Sequence, residues 1–170
     1  MKKIIWILLL IILIGIQFIR PVKNMSTVIT RDDITAQFNI PDPVLDILQR
    51  SCYDCHSNST RYPWYNQIQP VAWWLNRHVQ EGKQELNFSE FGSYTIKKAT
   101  RKLAKIAKTT KGGSMPLDAY LWIHTDAKLS ASDIQVIGDW AKGLADSLTT
   151  NFGPDSLRVL DSLKMRTSAL

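Results

Sequence analysis

Both cysteines of the chain fall in one pentapeptide, Cys52-Tyr53-Asp54-Cys55-His56. Three chemistries use such a stretch. A C-x-x-C pair cycles between dithiol and disulfide where it opens a helix after a strand in a βαβ unit. It supplies half of a tetrahedral zinc site where a second close pair of ligands completes the four. With a histidine directly after the second cysteine, the thiols can become thioethers at a porphyrin edge while the imidazole takes the iron from the same side. One tight turn then places two sulfurs at the rim of the macrocycle and a nitrogen over its centre. The rest of the chain separates the three. His78 and His124, the other histidines, are far apart in sequence and form no close second pair. No strand alternation of useful length is visible, and the motif follows a helical pattern, not a strand. The zinc and dithiol readings stay open but unspecific, whereas covalent haem attachment explains the most residues.

An iron held by His56 needs a donor on the opposite face to be six-coordinate. Gly112-Gly113-Ser114-Met115-Pro116-Leu117 lies between two helical patterns and offers Met115 as the expected distal ligand. A thioether is a soft donor, and His/Met ligation raises the reduction potential of haem iron. His124 is the alternative, followed by His78, and an open sixth position is the remaining case. Met115 could equally fill a gap in the core. An aromatic block follows the motif, with Tyr62, Trp64, Tyr65, Trp73 and Trp74. At least one of these is expected to wall the porphyrin, with an indole N–H, a phenol or Arg61 near its propionates, although ordinary core burial uses the same residues.

The elements that must position these groups are helical throughout. Asp42-Pro43 reads as an N-cap and first helical residue, and Val44, Leu45, Leu48 and Cys52 share one face behind it. A second helix opens near Pro70 and ends near Gly82. A third runs over 94–111, with Ile96, Ala99, Leu103 and Ile106 as its apolar stripe and a stop at Gly112-Gly113. A fourth starts at Ser130, with Asp133 at capping-box spacing. Before all of them, Lys2-Lys3 precede an apolar run from Ile4 to Ile19. Sixteen helical residues span roughly 24 Å, near the short end for a membrane helix. No small-x-small cleavage site follows the run, so it reads as an uncleaved signal-anchor. The expected organisation is a transmembrane anchor over 1–20, a tether over 21–41, a haem-binding domain over 42–148 and a tail over 149–170, with a weak final helix after the Gly153-Pro154 break. Covalent haem attachment takes place outside the cytoplasmic membrane in bacteria. The expected location is therefore that membrane, with a single-pass anchor and the haem domain facing the periplasm.

The formal net charge of +6 favours acidic partners, lipid headgroups or nucleic acid. An exported domain rarely meets nucleic acid, so the expected partners are the membrane and a redox protein with an acidic surface. The helix ending in Cys52-Tyr53-Asp54-Cys55-His56, the later Met115-Pro116 loop and the C-terminal helix together resemble class I cytochromes c. More closely, "SCYDCHSNSTRYPWYNQIQPVAWW", "EGKQELNFSEF" and "SMPLDAYLWIHTDAKLS" are similar to a family of membrane-anchored, monohaem, haem-binding domains of bacteria, over about residues 40 to 147. The resemblance implies an all-α, cytochrome c-like domain around one covalent haem c. It implies thioethers at Cys52 and Cys55, His56 as proximal ligand and, by the cytochrome c pattern, Met115 as distal ligand. The expected function is single-electron transfer without catalysis. The alternative is a haem sensor or peroxidase-like protein with an open or labile distal position.

Overall fold

The structure is a computed structural model that describes residues 2–152. Among the described residues eight α-helices follow one another: α1 (Lys2–Ile16), α2 (Ile34–Gln37), α3 (Asp42–Ser51), α4 (Tyr53–His56), α5 (Val71–Glu85), α6 (Ile96–Lys111), α7 (Asp118–Leu121) and α8 (Ala131–Phe152). Short 3₁₀ turns lie at Trp64–Gln67, Phe88–Ser93 and Thr125–Ala127. Among the described residues there is no strand, only an isolated antiparallel bridge between Met25 and Ser59. The expected tail beyond Phe152 lies outside the described residues.

The apolar stripe of α6, Ile96, Ala99, Leu103 and Ile106, is buried against Ile137, Ala141 and Leu148 of α8. Val44, Ile47 and Leu48 of α3 close the same core, and Phe88, Phe91 and Tyr94 fill its other end. The polar segment 21–41 also contributes: Asp33 caps α2 through Thr35 N at 2.9 Å, and Ile34 and Ile40 are buried in the core. Both ends of α6 are chemically specified. Thr95 accepts from Lys98 N at its start. At its end Gly113 adopts φ +67°, a conformation open to glycine, so that Gly113 N reaches Thr110 O and Ser114 N reaches Thr109 O. That turn delivers the chain to Met115.

The capping box before α8 is formed in both directions: Asp133 Oδ2 accepts from Ser130 N (2.9 Å) and Oγ (2.8 Å), and Ser130 Oγ accepts from Asp133 N (3.1 Å). Arg50 of α3 adds an ion pair to the same carboxylate at 2.9 Å. The Ser130 hydrogen bonds, with Arg50, hold Asp133 below the usual carboxylate range. Asp133→Ala is expected to cost about 1–2 kcal/mol at neutral pH, read from urea midpoints. Because the folded-state pKa is depressed, the wild-type advantage is full above the ordinary aspartate value of about 3.9 and is lost as pH falls through the folded value.

The N-terminal expectation is overturned. The apolar run folds as α1, but this helix has 15 residues, about 22 Å against a hydrocarbon core of about 30 Å. Among the described residues no helix is long and apolar enough to cross a membrane. The expected transmembrane helix and single-pass anchor are therefore not supported, nor is the location that followed from them. The helix stops because the chain after it is captured by the domain. Gln17 exchanges hydrogen bonds with Gln69 (2.9 and 3.3 Å), Ile19 O accepts from Gln69 Nε2 and Trp73 Nε1, and Arg20 reaches Gln67 O. Residues that would extend an apolar span are spent on this polar seam instead.

Candidate functional site

Cys52 ends α3 with φ −128° and ψ −41°. Its carbonyl accepts from Cys55 N (3.2 Å) and His56 N (3.0 Å), winding the motif into the single turn α4. This turn rests on α5 at Gly82, where an added Cβ would lie 2.5 Å from Cys55 O and 3.0 Å from Cys55 Cβ. Glycine inside a helix costs about 1 kcal/mol relative to alanine, and the close approach of the two backbones accounts for it here. The expected helix stop at Gly82 is thus a packing position, and α5 runs on to Glu85.

Cys52 and Cys55 are unbridged and half-buried. Burial, with the neighbouring Cys55, pushes the Cys52 thiol up to about 12; burial and Asp54 push Cys55 up to about 11. A redox dithiol needs a stabilised thiolate, which these surroundings do not provide. Nor do the described residues bring together three or more His, Cys, Asp or Glu side chains that could hold a metal ion, so the zinc reading loses its second ligand pair. His56 Nδ1 lies 3.0 Å from Leu86 O. A carbonyl only accepts, so Nδ1 carries the proton and Nε2 keeps its lone pair. Burial lowers the imidazole pKa and favours that neutral form.

Three cavities meet at this turn. The middle one, about 370 Å³, is lined by Cys52, Cys55 and His56 together, with Met115, Leu117 and Tyr120 from the loop and α7, and His78, Glu81 and Glu85 from α5. A smaller one, about 100 Å³, lies toward Lys102, Lys105 and Ile106 of α6 and shares Cys52, His56 and Met115. The third, about 480 Å³, opens beside Cys55 between Trp64, Tyr65, Trp74 and His78 on one side and Tyr120, Trp122 and Ile123 on the other. Ser51 lines the first two, and its buried hydroxyl has no hydrogen-bond partner within the protein. Such an orphan donor is uncommon in a closed interior and marks a wall that a ligand completes.

The structure thus gathers Cys52, Cys55, His56 and Met115 around one space. His124 is elsewhere: its ring stacks on Tyr120 at 4.1 Å and 10°, with Nδ1 3.2 Å from Tyr120 O, and it lines none of the three cavities. His78, the second of the alternative donors, takes the place expected of His124. One turn before Gly82, it faces two of the cavities while its Nδ1 meets Trp74 O at 2.8 Å. The i, i+4 relation between His78 and Gly82 is the signal for this in the sequence. Of the aromatic block, Trp64, Tyr65 and Trp74 line the third cavity. Tyr62 instead accepts from Asn24 N, and Trp73 serves the Ile19 seam. Arg61 is engaged by Asp54. Sequence reasoning passed over Asp54 and Tyr120. Asp54 is buried and accepts from Arg61 N (2.9 Å) and Tyr120 Oη (2.7 Å).

The model of one protein family, described as a haem-binding domain, matches residues 11–143. The chain belongs to this haem-binding domain family. No curated protein and no solved structure matches it. The residues of this haem-binding domain suit the group its family implies. Apolar and aromatic walls, an imidazole with a free Nε2, two unbridged thiols on the same turn and the orphan Ser51 hydroxyl surround one cavity system. The middle cavity lies within the usual size range of small-molecule sites, roughly 300–1,000 Å³.

Proposed function

We propose that the domain holds one haem c, through thioethers at Cys52 and Cys55 and His56 Nε2, with Met115 as the second axial ligand, and that it carries single electrons. The carrying observation is the middle cavity, which Cys52, Cys55, His56 and Met115 line together. Bound there, haem supplies an iron centre that gains and loses one electron. The chain's own part is positional. Leu86 O fixes the His56 tautomer, Gly82 lets α5 support the turn from behind, and Ile106 and Leu86 exclude water on the α6 side. The exposed Lys97, Arg101 and Lys108 of α6 are the surface for an acidic redox partner, an association that salt should weaken.

The test is an absorption spectrum of the purified protein in both oxidation states. Wild type is expected to show a weak far-red sulfur-to-iron band when oxidised, and Met115→Ala to lose it and to bind carbon monoxide when reduced. A wild type that lacks the band and binds carbon monoxide readily would instead favour a sensor or peroxidase-like protein. His78 in the same cavity is the observation on that side.

A further inference from the structure

The loop that carries Met115 is held unevenly. On its upstream side, Ser114 N and Met115 N both reach Thr109 O at the end of α6 (3.0 and 3.4 Å). Downstream, Arg50 holds Asp126 O at 3.0 Å. Between these points α7 contributes no buried residue to the core. Its backbone hydrogen bonds stay local: Tyr120 N and Leu121 N go to Leu117 O, Trp122 N to Asp118 O, and Ile123 N and His124 N to Tyr120 O. Among the described residues, the side-chain hydrogen bonding that joins this segment to the rest of the fold is centred on Asp54 and Arg61. Tyr120 Oη donates to Asp54 Oδ2 at 2.7 Å across 66 positions of sequence.

Asp54 is the third residue of Cys52-Tyr53-Asp54-Cys55-His56 and is buried. Its carboxylate is oriented by Arg61, through N at 2.9 Å and Nε at 3.3 Å to Oδ1 and through Nη2 at 3.4 Å to Oδ2. Its backbone carbonyl accepts from Thr60 Oγ1 at 2.6 Å. The acceptor is therefore fixed before Tyr120 reaches it. A charged acceptor in a buried place makes the stronger kind of hydrogen bond. Tyr120 also lines the middle and third cavities, so this bond forms part of the wall that spans from the cysteine turn to the Met115 loop.

We infer that Asp54 and Tyr120 are positioning residues for the distal side of the haem site: the Tyr120–Asp54 hydrogen bond latches the Met115 loop to the turn that carries both cysteines and His56. Resting on the proposed haem reading, this adds the device that keeps the sixth position closed. With the latch broken, the loop is held at its two ends, by Thr109 O of α6 and by Arg50 on Asp126 O, and it opens more often to an outside ligand.

The experiment compares wild type, Tyr120→Phe and Asp54→Asn, each with haem attached. Readouts are the far-red sulfur-to-iron band, the rate of carbon monoxide binding to the reduced protein, and the thermal midpoint from far-ultraviolet circular dichroism. Removing a hydrogen bond to a charged group shifts an opening equilibrium by about tenfold to a hundredfold. Tyr120→Phe is expected to keep covalent haem and helix content, to weaken the band and to bind carbon monoxide faster by a factor in that range. Asp54→Asn retains a neutral carbonyl acceptor and is expected to fall between wild type and Tyr120→Phe. Unchanged band and binding rate in Tyr120→Phe, whatever its thermal midpoint, would reduce the pair to a structural tie and overturn the inference. A wild type with no sulfur-to-iron band would overturn the haem-ligation reading itself, an outcome visible before any variant is made.

Discussion

A Cys52→Ala, Cys55→Ala double variant is expected to lose all of its haem in denaturing electrophoresis, while the wild-type band stains for haem. The expectation follows from bond type. The proposed coordination by His56 and Met115 would end when the fold ends, because each ligand would then be one residue in a flexible chain. A thioether is covalent and survives unfolding. The two cysteines share one turn, with Cys55 N on Cys52 O at 3.2 Å, so each single variant should retain one attachment and a weaker native spectrum. His56→Ala separates the two roles: it should keep the stain and lose the six-coordinate spectrum. A stained band from the double variant would contradict covalent attachment at this motif.

The second large effect concerns Gly82, which no chemistry would single out. Gly82→Ala is expected to destabilise the protein by about 1–3 kcal/mol, the usual range for overpacking, despite a helix-propensity gain of about 1 kcal/mol. The new Cβ would lie 2.5 Å from Cys55 O. That oxygen belongs to the backbone of α4, so relief requires the motif to move off α5. Haem retention should therefore suffer with stability, and the urea midpoint and native spectrum should change together. Gly143→Ala in α8 is the control, since an added Cβ there meets nothing within 4 Å. This variant should be stabilised by about 0.5–1 kcal/mol. If Gly82→Ala behaved like Gly143→Ala, the packing account of the α4–α5 contact would fail.

Much of this site can be read from local pattern, because its central constraint is local. Cysteine thiols three positions apart with an adjacent histidine must share one turn, and α4 is that turn. The apolar periods of α3 and α6 are equally local: the α6 stripe is buried throughout, and in α3 Val44 and Leu48 are buried while Leu45 and Cys52 are partly so. Ser130 and Asp133 state the start of α8 in their side chains. Where reading along the chain went astray, the deciding contact was long-range. The apolar run at the N-terminus has the composition of a span. Its length as a helix is set by Gln17, Ile19 and Arg20 finding partners at 67–73. Gly82 looks like a stop in isolation and is a contact point in the fold. His124 ranks ahead of His78 as a donor on paper, yet only His78 reaches the cavity.

The sequence by itself determined the helical class, the cysteine–histidine turn and the presence of a methionine loop behind a glycine stop, since each depends on residues within a few positions of one another. Only the tertiary structure decided that Met115 shares a cavity with His56, that Asp54 inside the motif holds Tyr120 of α7, and that the first helix ends at Ile16. Those outcomes depend on which side chains meet across fifty or more positions. Spacing along the chain carries no information on such meetings, because they arise only when separate elements come together in the fold.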